Sequence, residues 1–161
     1  QDNEISWFDW EKIDEELLSF TRKLIAFKKK HPGFRRRNWF KGRAIHGSDV
    51  NDIGWLTNSG DEMDENHWGE GFAKSIGVFL NGEGISYRDD MGRIISDQSF
   101  YLIFNAHYEP LTFTLPEENW ARAWKLVMNT AKGWLEEPVT FKAQDTIDVD
   151  DRSIMILRKT E

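Results

Sequence analysis

The sequence predicts a mainly β domain, a sandwich or a barrel of antiparallel strands, preceded by one amphipathic α-helix. Short apolar segments recur with turn-forming residues between them, which is typical of antiparallel sheets and unlike βαβ units. Aromatic residues make up 14% of the 161 residues, and aromatic side chains fit pleated, half-buried surfaces. Near the start, a single segment carries apolar residues at helical spacing, which predicts the helix.

The predicted helix spans residues 13–30. Its apolar residues follow one another at intervals of four and three and form one stripe: Ile13, Leu17, Phe20, Leu24 and Phe27. Acidic residues in the first turn and lysines in the last turn suit the helix dipole, and Pro32 and Gly33 stop the helix. Leu18 and Ile25 lie on a second apolar patch, so we expect this helix to pack against two partners.

After Gly33 the pattern changes to that of strands. The predicted strands cover residues 34–40, 53–56, 75–81, 100–105, 111–115, 124–128, 139–141, 146–149 and 153–158. The segments 75–81 and 100–105 are nearly continuous apolar runs, as in central strands. Two long polar loops, 57–74 and 82–98, are functional or interfacial candidates, because long loops are uncommon in compact domains.

Composition and missing motifs exclude several classes of function. The net charge of −7 argues against binding nucleic acid or an anionic membrane surface. The chain has no cysteine, which removes disulfides, thiolate catalysis and cysteine-bound zinc. No histidine pair has metal-ligand spacing, and motifs for nucleotide binding or a serine nucleophile are missing. The sequence therefore predicts neither a metal nor a cofactor.

Carboxylates and loop tryptophans are the remaining candidates for a site. Acidic pairs such as Asp89 with Asp90 have the chemistry of glycoside hydrolysis, but most carboxylates must lie at the surface, since burying them unpaired is costly. Trp68, Trp120 and Trp134, in or beside turns, are candidates for stacking on sugar rings. The alternative is that they cover the edges of the sandwich, because tryptophan is mostly buried on average.

The first ten residues contain an aromatic cluster of Trp7, Phe8 and Trp10 and no signal-peptide pattern. Since chain termini usually fray, we expect this cluster to pack on this domain or on another part of a larger protein.

Several motifs follow one another along the chain: the opening decapeptide QDNEISWFDW, KHP at 30–32, FRRR at 34–37, GVFLNG at 77–82, FNAH at 104–107 and FTLP at 113–116. Together they resemble bacterial glycogen debranching enzymes of the isoamylase type, which belong to glycoside hydrolase family 13. The resemblance covers essentially the whole chain, and its most specific part is the opening decapeptide.

The resemblance implies an N-terminal β domain, a (β/α)8 barrel and a C-terminal β-sandwich of the α-amylase type. In that layout residues 1–32 are the end of the barrel, namely the loop after the eighth strand and the last helix. Residues 33–161 are then the C-terminal β-sandwich domain. The partner of this chain is accordingly the missing catalytic barrel of the same polypeptide.

The implied reaction is the retaining hydrolysis of α-1,6 branch linkages in glycogen or limit dextrin, in the cytoplasm. The carboxylates that carry this reaction precede Gln1 in the family, so no catalytic residue is expected here and the isolated chain is expected to be inactive. Gln1, Asp2, Asn3 and Glu4 would lie on the active-site face of the barrel, where we expect them to bind substrate.

A free-standing carbohydrate-binding β-sandwich module is the alternative interpretation. Its stacking platform would be Trp68, Trp120 or Trp134. A small independent enzyme is a third interpretation, which the missing catalytic motifs disfavour.

Overall fold

Two antiparallel sheets and one long helix form the fold in the computed structural model, which describes residues 2–43, 50–71, 74–137 and 139–161. Helix α1 spans Glu15–Lys30, a 3₁₀ turn follows at Pro32–Arg35, and a short helix α2 spans Glu65–Trp68. The strands are β1 (Ile53–Leu56), β2 (Ser75–Leu80), β3 (Phe100–Asn105), β4 (Leu111–Thr114), β5 (Ala123–Asn129), β6 (Gly133–Trp134), β7 (Thr140–Lys142), β8 (Thr146–Val149) and β9 (Ser153–Lys159).

The main sheet has seven strands in the order β1-β2-β3-β9-β5-β6, and β7 also pairs with β5. Strands β4 and β8 form a separate two-stranded sheet, and the strand pairings in both sheets are antiparallel. Because both sheets are open and share a core, the architecture is a sandwich, and the predicted mainly β fold is confirmed.

Alternation along the central strands divides the apolar residues between the two faces of the main sheet. On β3, Tyr101 and Ile103 are buried between the sheets, whereas Phe100 belongs to a second cluster on the opposite face. The core between the sheets includes both strands of the small sheet; its buried members are Leu56, Phe79, Tyr101, Ile103, Phe113, Leu115, Trp120, Ala121, Trp124, Leu126, Ile147, Val149, Met155 and Leu157.

Helix α1 covers part of the opposite face of the main sheet. The Phe27 ring packs within 5.4 Å of Phe100 and 5.3 Å of Trp134, measured between ring centroids. Phe20 joins the same cluster, which also contains Met128 and Ile156. The helix begins two residues later than predicted, because the Asp14 side chain accepts a hydrogen bond from the Leu17 backbone N–H and so forms the N-cap.

A buried hydrogen bond attaches the end of α1 to the sheet. His31 Nδ1 lies 2.8 Å from Asp97 Oδ1, and both side chains are more than nine-tenths buried. The Asp97 carboxylate also accepts hydrogen bonds from the backbone N–H groups of Gly33 and Gln98, each at 2.8 Å. This carboxylate therefore joins the chain just after α1 to the segment that enters β3.

The predicted strand at residues 34–40 is wrong. The 3₁₀ turn occupies its start, and the Arg36 side chain is buried against Asp52, with Nη1 and Oδ2 3.3 Å apart. Backbone donors of the following segment bind side chains instead of a neighbouring strand: the N–H groups of Lys41 and Gly42 donate to Asp52. The aromatic residues at both ends of this segment resemble a strand pattern, but the segment is held by the ion pair of the buried Arg36 with Asp52 and not by a strand ladder.

The Tyr101 side chain is buried without a hydrogen-bond partner. Its hydroxyl lies over Gly77, where a Cβ atom would approach that oxygen to 2.1 Å, so the position requires glycine. Among the described residues no group bonds this hydroxyl, and burial raises the pKa of Tyr101. The ring contributes to the core, whereas the buried hydroxyl opposes folding.

Replacing Asp97 with Ala removes three hydrogen bonds, those to His31 and Gly33 being part-buried, so the free energy of unfolding should fall by about 2–4 kcal/mol in urea denaturation. Asp90→Ala is the matched control: its carboxylate is exposed and lies 3.5 Å from Arg37, and its loss should change stability by less than about 0.5 kcal/mol. Equal unfolding midpoints for the two variants would contradict a supporting role for Asp97.

Replacing Tyr101 with Phe should raise the free energy of unfolding by about 1 kcal/mol, because the change removes a buried polar group that has no partner. Thermal unfolding measures this effect. Tyr87→Phe is the control, since the Tyr87 hydroxyl accepts a hydrogen bond from the Arg37 backbone N–H at 3.2 Å. Removing this hydroxyl should lower the free energy of unfolding or leave it unchanged, and should not raise it. A clear loss of stability in the Tyr101 variant would show that its hydroxyl is satisfied.

Candidate functional site

The N-terminal segment places three of its four predicted substrate-binding residues in one exposed turn. Gln1 lies outside the described residues. Asp2, Asn3 and Glu4 are exposed; the Asn3 side chain accepts a hydrogen bond from the Ile5 backbone N–H, and the Trp7 indole N–H donates to Asp2. The turn thus presents amide and carboxylate groups beside an aromatic ring.

Two of the three candidate tryptophans are used in packing. Trp120 is only 8% exposed: its ring packs edge-on against Phe79, and it borders a polar cleft of about 250 Å³ without offering a face for stacking. Trp134 is half-buried against α1, and its indole N–H donates to the Phe20 carbonyl at 3.4 Å. Trp120 thus belongs to the core between the sheets, and Trp134 belongs to the contact between α1 and the main sheet.

Trp68 is exposed and is paired with a second ring that sequence analysis missed. Trp68 is 56% exposed and Trp55, on β1, is 38% exposed. Their ring centroids are 5.5 Å apart, and the ring planes meet at 74°. We call these two residues the tryptophan corner. Sequence analysis overlooked Trp55 because it lies inside a predicted strand rather than in a loop.

A chain reversal after β1 brings the two rings together. Thr57 N–H donates to the Asp61 carbonyl at 2.8 Å, and Gly60, with φ of +87°, makes the turn. The returning segment bonds back to β1, where Met63 N–H donates to the Trp55 carbonyl at 2.8 Å. Helix α2 begins two residues after Met63, and Trp68 is its last residue.

Helix α2, which carries Trp68, has a capped N-terminus. The Asp64 carboxylate accepts hydrogen bonds from the backbone N–H groups of Asn66 and His67, at 2.9 and 3.0 Å. His67 Nδ1 lies 2.7 Å from the same carboxylate. The backbone N–H of His67 lowers the pKa of Asp64, so the cap is ionised at neutral pH.

Four described carboxyl groups have pKa values that clearly depart from the ordinary range. At each of them, Asp9, Asp64, Asp89 and Asp150, the shift is downward, because each accepts hydrogen bonds. A general acid needs a raised pKa, so these four groups are unsuited to that role. The two buried carboxylates are already bonded, Asp52 to Arg36 and Asp97 to His31.

Within the described ranges, no group of three or more histidine and carboxylate side chains is arranged to hold a metal ion. No helix in this part of the chain is long and apolar enough to cross a membrane.

These features define the class: a β-sandwich domain with a helix on one outer sheet face and an exposed aromatic corner. A family model described as "Isoamylase, C-terminal" matches residues 52–157, from β1 to β9. The chain belongs to this isoamylase C-terminal family.

Relatives of known name extend the likeness over the helix and the N-terminal segment. The chain is 43% identical over 163 aligned residues to the "Glycogen operon protein GlgX homolog" of Mycobacterium tuberculosis, covering 99% of this chain and 23% of that protein. It is 26% identical to the isoamylase of Pseudomonas amyloderamosa, covering 88% of this chain and 16% of the relative. The chain thus spans less than a quarter of the length of these relatives.

A solved structure supports the fold. The pullulanase type I of Bacillus subtilis, determined in complex with maltose, matches 95% of this chain and 17% of its own length, with a TM-score of 0.58 and 17% identity. At this identity the likeness concerns the fold alone, and it agrees with the predicted sandwich preceded by a helix.

The Asp64 cap should make the tryptophan corner sensitive to acid. Because folding lowers the pKa of Asp64 below its ordinary 3.8, the ionised cap stabilises α2 above about pH 4, and this contribution is lost as the pH falls through the lowered value. The indole N–H resonance of Trp68 should therefore shift below about pH 4 in a pH series of NMR spectra.

The Asp64→Asn variant is the control, because an asparagine cap does not titrate and should remove that step. Asp89→Asn, in a different loop, should leave it intact. A Trp68 resonance that is unaffected by acid in the unmodified chain would contradict the capping role.

Proposed function

We propose that this chain is the C-terminal part of a cytoplasmic glycogen debranching enzyme that hydrolyses α-1,6 branch linkages of glycogen or limit dextrin. In this enzyme it is a structural domain without catalytic carboxylates. The observation that carries the proposal is the 43% identity over nearly the whole chain to proteins named for the glycogen operon, of which it matches only 23%.

The family match fits the proposed division of the chain. The matched residues 52–157 lie within the proposed sandwich domain, 33–161, and exclude the proposed end of the barrel, 1–32. Helix α1 lies in the proposed end of the barrel, and it packs on the sheet through only some of its apolar residues.

Helix α1 has apolar residues that the sheet does not cover, and these support a second packing partner for the helix. Leu17, Leu24 and Ile25 are 59%, 37% and 50% exposed, next to the sheet-facing Phe20 and Phe27. The N-terminal segment adds exposed large side chains, namely Ile5, Trp7, Phe8 and Trp10. Exposed apolar side chains in such numbers are typical of an interface in a folded protein. We assign the catalytic barrel of the same polypeptide as its occupant.

The exposed turn at Asp2, Asn3 and Glu4 is proposed to face the substrate groove of that barrel. Its carbonyl, amide and carboxylate groups have the donors and acceptors that sugar hydroxyls require. The Asp2 contact with Trp7 would hold this turn against the aromatic cluster.

A hydrolysis assay on limit dextrin tests the proposed function. The purified chain should release no reducing ends above background, because the acid and nucleophile are missing, whereas a longer polypeptide carrying this chain together with its barrel should release branches. Hydrolysis by the chain alone, or an inactive longer polypeptide, would overturn the proposal.

A second test separates the two faces of α1. In the isolated chain, Leu24→Glu and Ile25→Glu should change the free energy of unfolding by less than about 0.5 kcal/mol, whereas Phe27→Ala should lower it by about 3 kcal/mol. In the longer polypeptide the two glutamate variants should each cost about 2 kcal/mol or more, because they bury a charge. If they leave the longer polypeptide as stable as before, this face has no partner.

A further inference from the structure

We propose that the tryptophan corner, Trp55 and Trp68, is a surface site that binds α-linked glucan chains, separate from the hydrolytic site of the proposed enzyme. The glucan class rests on the proposed function. The existence of a binding site rests on geometry alone.

The two rings form a rigid, open corner. At 74° between planes and 5.5 Å between centroids, they lie edge to face, so faces that are not in mutual contact are directed to solvent. Trp55 is held by a strand and Trp68 by a capped helix. Hydrogen bonds within the chain therefore set the backbone that carries both rings.

A polar groove lies beside helix α2, and neither tryptophan of the corner is among the residues that line it. The helix that carries Trp68 forms a wall of this groove, of about 470 Å³, to which it contributes His67. Asp61, Glu70 and Lys74 line the same groove. These groups include both donors and acceptors, and a sugar hydroxyl can accept and donate. Aromatic faces with a few polar groups beside them are typical of small-ligand sites.

The strand edge beside the corner argues against a partner that adds a strand. Leu56 bridges to Glu62, and the hydrogen bonds from Thr57 to Asp61 and from Met63 to Trp55 occupy the outer side of β1 here. An incoming peptide strand would meet these bonds at the C-terminal end of β1. A ligand must instead use the ring faces and the side chains of the groove, which suits a carbohydrate.

Nucleic acid is the other ligand that stacks on tryptophan, and the charge disfavours it. The chain carries a net charge of −7, and the groove has Asp61 and Glu70 against a single lysine, Lys74. Phosphates would be repelled by this balance, whereas an uncharged polysaccharide would not.

Affinity electrophoresis of the chain in native gels containing glycogen tests the proposal. The unmodified chain should be retarded as the glycogen concentration rises. Trp68→Ala and Trp55→Ala should each weaken the apparent affinity roughly tenfold, the loss expected when one aromatic stacking contact is removed. Trp68→Phe, which keeps a smaller ring, should retain part of the retardation.

Trp39→Ala is the matched control, because Trp39 is 94% exposed and should bind nothing at this site. Melting temperatures close to that of the unmodified chain show that a variant is folded. The proposal is overturned if the unmodified chain is not retarded, if Trp68→Ala is retarded as strongly, or if a β-linked glucan retards the chain equally.

This measurement uses the chain alone, whereas the hydrolysis assay uses the longer polypeptide. Debranching activity without retardation would refute the surface site and leave the proposed function standing. Retardation without debranching would refute the function and leave the site standing.

Discussion

The buried contact between His31 and Asp97 is the constraint on which the arrangement of helix and sheet depends. It fixes the C-terminal end of α1 to the segment that enters β3, and the His31 ring packs against Phe27 and Phe100 at centroid distances of 4.6 and 4.8 Å. One carboxylate satisfies three donors there, so its burial is compensated. Because the end of the helix is fixed, Phe20 and Phe27 reach the sheet, while Leu17, Leu24 and Ile25 remain on the exposed side.

Five of the eight tryptophans lie on the sandwich in three different places. Trp120 and Trp124 fill the space between the sheets, and Trp134 seats the helix on the outer face of the main sheet. Trp55 and Trp68 remain at the surface because the chain returns along β1 and places one ring beside the other. The same residue type is therefore buried in packing or left at the surface according to the backbone that holds it.

Sequence patterns predicted the elements whose periodicity is strong. Strands 53–56, 100–105 and 146–149 agree with the structure residue for residue, because turn-forming or polar residues bound each of these short segments. Residues 34–40 could not be predicted correctly, since the ion pair of Arg36 with Asp52 joins positions that are distant in sequence. One residue of the tryptophan corner was predicted from the sequence. Trp68 was a candidate because it lies in a predicted loop, whereas its pairing with Trp55 depends on the turn at Gly60.

The order of strands in the main sheet has a consequence for synthesis on the ribosome. Strand β9 lies between β3 and β5, although it follows both in the chain. Until residues 153–159 emerge from the exit tunnel, β3 and β5 each have an unpaired edge. These two edges of the nascent polypeptide can pair with strands of other chains. The main sheet is therefore completed only after β9 has been synthesised. Because β9 pairs with segments that are distant in sequence, we expect this step of folding to be slow.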